Sequence, residues 1–142
     1  MREKCVVLVV DAQGGGLGRQ LIINIRKELP DMHIIAVGTN CMATNNMLKA
    51  GADEAATGEN SIRVAGKKAD FIIGPIGMMI ADAMLGEITP GIATSIAQAQ
   101  AKRILIPFSN CDNYIAGVSD FSMSTLIEDA IRQLKKHLTD SV

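Results

Sequence analysis

The chain has 142 residues, of which 48% are hydrophobic and 3% aromatic, and its formal net charge is −1. This length suits a single domain over residues 1–142 with an aliphatic core. The near-neutral charge and the scarcity of aromatic side chains exclude the basic surface and stacking platform of a nucleic-acid binder. Three widely spaced cysteines form no zinc pattern. The apolar run near the start is too short for a membrane helix, so we expect a cytoplasmic protein that binds no membrane.

Short apolar runs alternate with longer helical patterns along the first part of the chain. Cys5–Val10 is entirely apolar, as in a central parallel strand that is covered on both faces. His33–Val37 predicts a second strand. The apolar residues between these strands recur at helical spacing and predict a first helix: Leu17, Leu21, Ile22, Ile25 and Leu29. A second helix is expected over Cys41–Ala50, with Thr39 or Asn40 as its N-cap.

The middle of the chain is harder to assign. Asp53–Ala56 predicts a short third strand. Glu59–Lys68 fits a strand, because its branched residues alternate, and equally a helix, because of its length. Asp70–Ile73 predicts a strand, and we expect an apolar helix after it that reaches Leu85.

The last part of the chain completes the alternation of strands and helices. Thr89-Pro90 predicts the start of a helix that runs to about Ala101, because a capping hydroxyl precedes a proline. A strand over Arg103–Phe108 follows, and the final helix begins at Ser124 or Thr125. This order predicts the α/β class: a three-layer, doubly wound, mostly parallel sheet of the Rossmann-like kind.

Polar residues and glycines gather where the predicted strands end. In an open parallel sheet, ligands bind outside the carboxyl ends of the strands. The segments at these ends are Asp11–Gly16, Gly38-Thr39-Asn40, Thr57-Gly58-Glu59-Asn60, Gly74-Pro75-Ile76-Gly77 and Ser109-Asn110-Cys111-Asp112. Loops between strands and helices also need glycines and caps for purely structural reasons, which is the alternative explanation.

The glycine loop, defined here as Asp11–Gly18, lies between a buried strand and an amphipathic helix, which is the setting of a dinucleotide-binding turn. Its N–H groups can approach a phosphate at the helix N-terminus. Its candidate ligand contacts are Asp11, Gln13, Gly14, Gly15, Gly16, Leu17 and Gly18. Asp11 would act through Mg²⁺ or would only cap a turn. A purely structural turn remains the alternative for the whole loop.

The glycine loop resembles the GxxxGxG loop of short-chain dehydrogenases, with Ala12 in place of the first glycine. Other features argue against a dehydrogenase. No acidic residue follows the second strand to hold a ribose hydroxyl. The YxxxK pair of that family is missing, because Tyr114 is the only tyrosine and position 118 is valine. A Walker lysine is absent too, which excludes a P-loop kinase.

Candidate catalytic residues are few. Glu59 and Glu87 could serve as acid–base groups, or each could simply complement a helix dipole. Cys111 after the fifth strand and Cys41 in the first turn of the second helix are possible nucleophiles that lack a neighbouring histidine base. His33 and His137 are expected at the surface.

Several motifs together resemble an uncharacterised bacterial family, catalogued as domain of unknown function 3842, over nearly the whole chain. These motifs are residues 11–18, Gly38-Thr39-Asn40, residues 48–52, residues 56–60, residues 73–77 and residues 85–90. The family pattern usually has glycine at the position of Ala12, so we expect a glycine loop of slightly different width. The resemblance implies a Rossmann-like fold and no assigned activity.

Three hypotheses for function follow from these patterns. The first is binding of a nucleotide, a dinucleotide or a phosphorylated metabolite, with or without Mg²⁺, at the glycine loop. Further ligand contacts would come from the other strand ends: Thr39, Asn40, Thr57, Gly58, Glu59, Asn60, Gly74, Pro75 and Gly77. The second is an enzyme for a small acid that uses Glu59 or Glu87 without a nucleotide. The third is a non-catalytic module that forms a homodimer through Met78–Ala101, a region whose apolar residues fit core packing equally well.

Overall fold

The computed structural model describes residues 4–107, 113–118 and 122–140. Five strands alternate with helices along these residues. The elements in chain order are β1 (Val6–Asp11), α1 (Gly16–Glu28), β2 (His33–Gly38), α2 (Cys41–Lys49), β3 (Glu54–Thr57), α3 (Glu59–Lys68), β4 (Phe71–Pro75), a 3-10 helix (Ile76–Met79), α4 (Pro90–Gln98), β5 (Lys102–Ile106) and α5 (Met123–Asp140). The ambiguous segment Glu59–Lys68 is therefore a helix.

The five strands form one parallel sheet in the order β3-β2-β1-β4-β5. The chain builds outward from β1 to β3 and then crosses to β4 on the other side of β1. The strand order therefore reverses between β1 and β4, and the carboxyl ends of these two strands flank the crevice where doubly wound proteins bind ligands. The predicted α/β class and doubly wound parallel sheet are confirmed.

Both faces of the sheet are covered by helices. Val7 and Val9 pack with residues of α1, α2 and α5 in one core cluster. Leu8 and Val10 point to the opposite face and pack with residues of α3 and α4. All four are at most 1% exposed. Burial on both faces explains why this strand is apolar throughout instead of alternating.

The apolar helix expected up to Leu85 is wrong. The 3-10 helix ends at Met79, and residues 80–88 form a compact loop, called here the 80–88 loop. The Asp82 N–H donates to the Ile88 carbonyl at 2.7 Å, which turns the chain back on itself. Asp82, Met84 and Leu85 adopt positive φ angles of 65°, 57° and 58°. The apolar residues that suggested a helix are divided by this turn: Ile88 is fully buried, whereas Leu85 is fully exposed.

The remaining boundaries shift only slightly from the sequence predictions. Thr89 caps α4 as expected, by accepting a hydrogen bond from the Ile92 N–H at 3.1 Å, and α4 ends at Gln98 rather than near Ala101. The predicted site segment Ser109–Asp112, with the candidate nucleophile Cys111, lies outside the described residues. None of the helices in the described ranges is long and apolar enough to cross a membrane.

Candidate functional site

The glycine loop connects the end of β1 to the start of α1, and two of its glycines are needed for packing. Gly15 is the N-cap of α1 with φ 74°, and a Cβ there would lie 2.7 Å from the Ala43 Cα. A Cβ on Gly18 would lie 2.5 Å from the Met47 sulfur. The lack of a side chain at both positions allows α1 to pack closely against α2. The fold alone therefore accounts for these two glycines.

The fold does not account for Gly14 and Gly16. Neither has a positive φ, and a Cβ built on either residue would meet no described atom within 4 Å beyond its chain neighbours and its own helix. In the part of the chain that the structure describes, the N–H groups of Gly14, Gly16 and Leu17 donate to no protein acceptor. Unpaired N–H groups in the first turn of a helix are the donors that bind anions. This part of the loop is thus open and rich in donors.

Asp11 at the end of β1 is 5% exposed, and its side chain caps the first turn of α1. Its carboxylate accepts hydrogen bonds from the Ala12 N–H at 2.8 Å and the Gly18 N–H at 2.7 Å. Burial raises the pKa of Asp11, and these two hydrogen bonds oppose the increase. Of the two roles that the sequence leaves open for Asp11, the geometry matches the turn cap.

Glu87, in the 80–88 loop, connects three segments at the carboxyl edge of the sheet. Its Oε1 atom accepts hydrogen bonds from the Thr39 hydroxyl at 2.7 Å, the Asn40 Nδ2 at 2.7 Å and the Gln13 N–H at 3.0 Å. Partial burial would raise the pKa of Glu87, but the hydrogen bonds from Thr39, Asn40 and Gln13 outweigh it and lower this pKa. The carboxylate is therefore held in its ionised form.

Two asparagines that lie close together on the chain hold the glycine loop in place. Asn40 caps α2 by accepting from the Ala43 N–H at 2.9 Å, and its Nδ2 also donates to the Gln13 carbonyl at 2.8 Å. Asn46 donates to the Gly14 carbonyl at 2.7 Å. Asn40 is one of the two N-cap residues that the sequence predicts, and also a predicted ligand contact. Asn46 is not predicted, because an asparagine inside a predicted helix carries no local signal of a contact with another loop.

The predicted contacts after β3 have partners of their own. Thr57 pairs with the Thr44 hydroxyl at 2.7 Å, and Asn60 accepts hydrogen bonds from Arg63 at 2.8 and 3.1 Å. Glu59 is the first residue of α3 and accepts a hydrogen bond from the Thr89 hydroxyl. This contact ties the end of β3 to the start of α4, and a ligand role for Thr57, Gly58, Glu59 and Asn60 stays a prediction.

The residues at the end of β4 lie beneath the crevice. Gly74, Pro75 and Gly77 are all buried. A Cβ on Gly74 would lie 2.4 Å from the Val10 carbonyl oxygen, so glycine is needed there for β4 to approach β1. Gly74 is therefore explained by packing, and direct ligand contact by these residues stays a prediction.

The other candidate groups are more scattered. Cys41 is exposed at the first position of α2, as its placement in the first turn predicts. His33 lies at the opposite edge of the sheet, where β2 begins, and its Nε2 contacts Glu54 at 2.6 Å. Within residues 4–107, 113–118 and 122–140, no group of three His, Cys, Asp or Glu side chains is arranged to hold a metal ion.

The fold defines a Rossmann-like α/β protein whose glycine loop lies at the topological switch point of the sheet. The family model "Domain of unknown function (DUF3842)" matches residues 6–139. The chain belongs to this family, as the resemblance in its motifs predicts.

No curated protein matches the chain. Among solved structures, the chain is similar to a dodecameric FMN-dependent UbiX-like decarboxylase from Escherichia coli O157:H7, with 17% sequence identity and a TM-score of 0.46. The match covers 92% of this chain and 75% of the decarboxylase chain. A likeness at this level implies neither a shared ligand nor a shared reaction.

Proposed function

We propose that this protein binds a nucleotide or a phosphorylated metabolite, with the phosphate at the glycine loop. The observation that carries the proposal is the contrast among the four glycines. Gly15 and Gly18 are required by close packing, whereas Gly14 and Gly16 face open space and satisfy no backbone requirement of the fold. A ligand that approaches the backbone closely would explain their lack of side chains.

The available donors suit a phosphate. The N–H groups of Gly14, Gly16 and Leu17 can donate to its oxygens, and the dipole of α1 favours negative charge at this position. Arg19 is exposed in the first turn of α1 and can supply a positive charge. The Asp11 carboxylate is already bound to its own loop, so the phosphate would rest on the outer donors.

The enzyme hypothesis receives less support. A general acid or base needs a pKa near the working pH and access to the substrate. Glu87 has a lowered pKa and is held by three protein donors, so it is poorly suited to deliver or take up a proton. The contact between Glu59 and Thr89 ties that carboxylate to the start of α4.

The homodimer through Met78–Ala101 stays a prediction. Met78, Ile88 and Ile96 are completely buried in the chain's own core. Of the large apolar side chains in this region, Leu85 is the one that is fully exposed. Sedimentation equilibrium of the wild type and of Leu85→Glu would test it: a dimer that dissociates in the variant would support the interface, and a monomeric wild type would rule it out.

A thermal-shift screen followed by calorimetric titration would test the ligand proposal. Nucleotides, dinucleotides and sugar phosphates would be tried with and without Mg²⁺. A ligand at one hundred times its dissociation constant should stabilise the protein by about 2.7 kcal/mol. Gly16→Val should weaken binding at least about tenfold, because its side chain enters the space in front of the donors, and it should leave the fold intact.

The matched control is Gly66→Ala in α3, where the added Cβ meets only ordinary contacts at 3.9 Å from Ala99 and Ile72. This variant should bind as the wild type does. Failure of every ligand to bind would refute the proposal. Equal binding by wild type and Gly16→Val would show that the ligand lies elsewhere.

A further inference from the structure

An acidic side chain stands at the end of β2 although the local sequence contains none. In dinucleotide-binding folds, a carboxylate near the end of the second strand accepts hydrogen bonds from ribose hydroxyls. Here β2 ends at Gly38 and is followed by Thr39 and Asn40. The structure brings Glu87 from the 80–88 loop onto these two residues, within 2.7 Å of both side chains. The carboxylate is thus supplied from a distant part of the chain.

The two oxygens of Glu87 are occupied unequally. A carboxylate offers about four acceptor positions, two on each oxygen. The Thr39 hydroxyl and the Asn40 Nδ2 fill the two positions of Oε1, which also shares the Gln13 N–H with Oε2. Among the described residues, the one donor to Oε2 is the same Gln13 N–H, shared with Oε1, at 3.1 Å. Oε2 therefore keeps acceptor capacity, and Glu87 itself is only partly buried.

Its hydrogen bond from the Gln13 N–H holds Glu87 beside the glycine loop. Gln13, which donates to Glu87, precedes Gly14 and lies three residues before Gly16. Consecutive Cα atoms are about 3.8 Å apart, so the donors at Gly14 and Gly16 lie within roughly 4–11 Å of this anchor along the chain. This short separation allows one ligand to contact both these donors and Glu87.

We propose that Oε2 of Glu87 accepts a hydrogen bond from a hydroxyl of a phosphorylated ribose whose phosphate lies on the N–H groups of Gly14 and Gly16. The proposal rests on the proposed function and narrows the ligand class. Thr39 and Asn40 act as positioning residues, because their hydrogen bonds orient the carboxylate. An ionised carboxylate accepts but does not donate, so the site should favour a ribose with unmodified hydroxyls and reject a 2′-phosphate.

Calorimetric titration with matched probes would test this assignment. ADP, GDP, CDP and UDP would be compared with their 2′,3′-dideoxy counterparts, and NAD⁺ with NADP⁺. Ribose 5-phosphate against 2-deoxyribose 5-phosphate would show whether a base is needed. A hydrogen bond to a charged group corresponds to roughly 10- to 100-fold in affinity. The preferred ribonucleotide should bind more tightly than its dideoxy form by about this factor.

Glu87→Gln should reduce that ratio to near one by weakening the ribonucleotide while leaving the dideoxy form almost unchanged. The control is Glu28→Gln, which removes an exposed carboxylate that pairs with Lys135 on another surface. It should keep the wild-type ratio. The comparison of ribose and dideoxy probes needs no variant, so the test stays decisive even if Glu87→Gln fails to fold.

The outcomes separate this inference from the proposed function. Equal affinity of the wild type for ribose and dideoxy probes would overturn the role of Glu87 and leave phosphate binding standing. Tighter binding of all phosphates to Glu87→Gln would overturn it as well, because Glu87 would then be repelling the ligand. Failure of every probe to bind would refute the proposed function itself.

Discussion

Replacement of Gly15 by alanine tests the packing of the glycine loop. Gly15 has φ 74° and ψ 16°, a left-handed conformation that costs an alanine about 1–2 kcal/mol. The new Cβ would also lie 2.7 Å from the Ala43 Cα and 2.9 Å from the Ala43 carbonyl oxygen. These are backbone atoms, which cannot rotate away. Overpacking of this kind costs about 1–3 kcal/mol, so Gly15→Ala should lower the free energy of unfolding by about 2–5 kcal/mol.

Urea unfolding followed by far-UV circular dichroism would measure this change, because the chain has no tryptophan and only one tyrosine. A loss of 2–5 kcal/mol is a large part of the roughly 5–15 kcal/mol that stabilises a typical domain. The thermal midpoint should fall by about 3–5 °C for each kcal/mol.

Gly16→Ala is the matched control, one residue away. Its Cβ meets no atom within 4 Å and its φ is not positive, so stability should be unchanged or rise by about 0.4–1 kcal/mol. A loss below about 1 kcal/mol in Gly15→Ala, or equal losses in the two variants, would refute the division of the loop into packing glycines and open glycines.

Two further predictions concern Thr89 and Glu87. Thr89→Ala should lower the free energy of unfolding by about 1 kcal/mol, because α4 loses its cap, and Thr89→Ser should restore most of it; equal losses in both variants would contradict a capping role. Since the pKa of Glu87 is lowered by folding, its ionised form stabilises the protein above the ordinary pKa of about 4.3, and this contribution is lost as the pH falls through the folded value. The stability advantage of wild type over Glu87→Gln should therefore narrow in urea titrations below about pH 4.3. An advantage that grows on acidification would contradict a Glu87 pKa that is lowered by folding.

The sheet could be predicted because its strands carry local signals. β1 and β2 are apolar runs of the length that a buried parallel strand requires, and glycines or caps mark the helix boundaries. Asn40 and Thr89 are capping residues in the structure, as their residue types and positions predict. Each of these signals depends on neighbours along the chain. For that reason the fold class was accessible without knowledge of any long-range contact.

The 80–88 loop could not be predicted because some of its apolar residues are buried and others are exposed to solvent. Ile88 is fully buried in the core, whereas Leu85 is fully exposed. Hydrophobic periodicity assumes that apolar residues share one buried face, and this assumption fails here. The consecutive positive φ angles of Met84, Leu85 and Gly86 also lack a local signal, because only the last is a glycine.

The contacts of Glu87 show why a carboxylate at the end of a strand can be missing from the sequence that follows that strand. The sequence argues against ribose recognition because no acid follows β2, and that argument considers only residues adjacent in the chain. The fold instead carries Glu87 across 48 positions to Thr39. Both differences from the sequence prediction have the same cause. The segment before α4 is a loop and not a helix, and the turn between Asp82 and Ile88 brings Glu87 to the end of β2. The Asp11 carboxylate is committed to capping α1, whereas Glu87 has an oxygen that retains acceptor capacity.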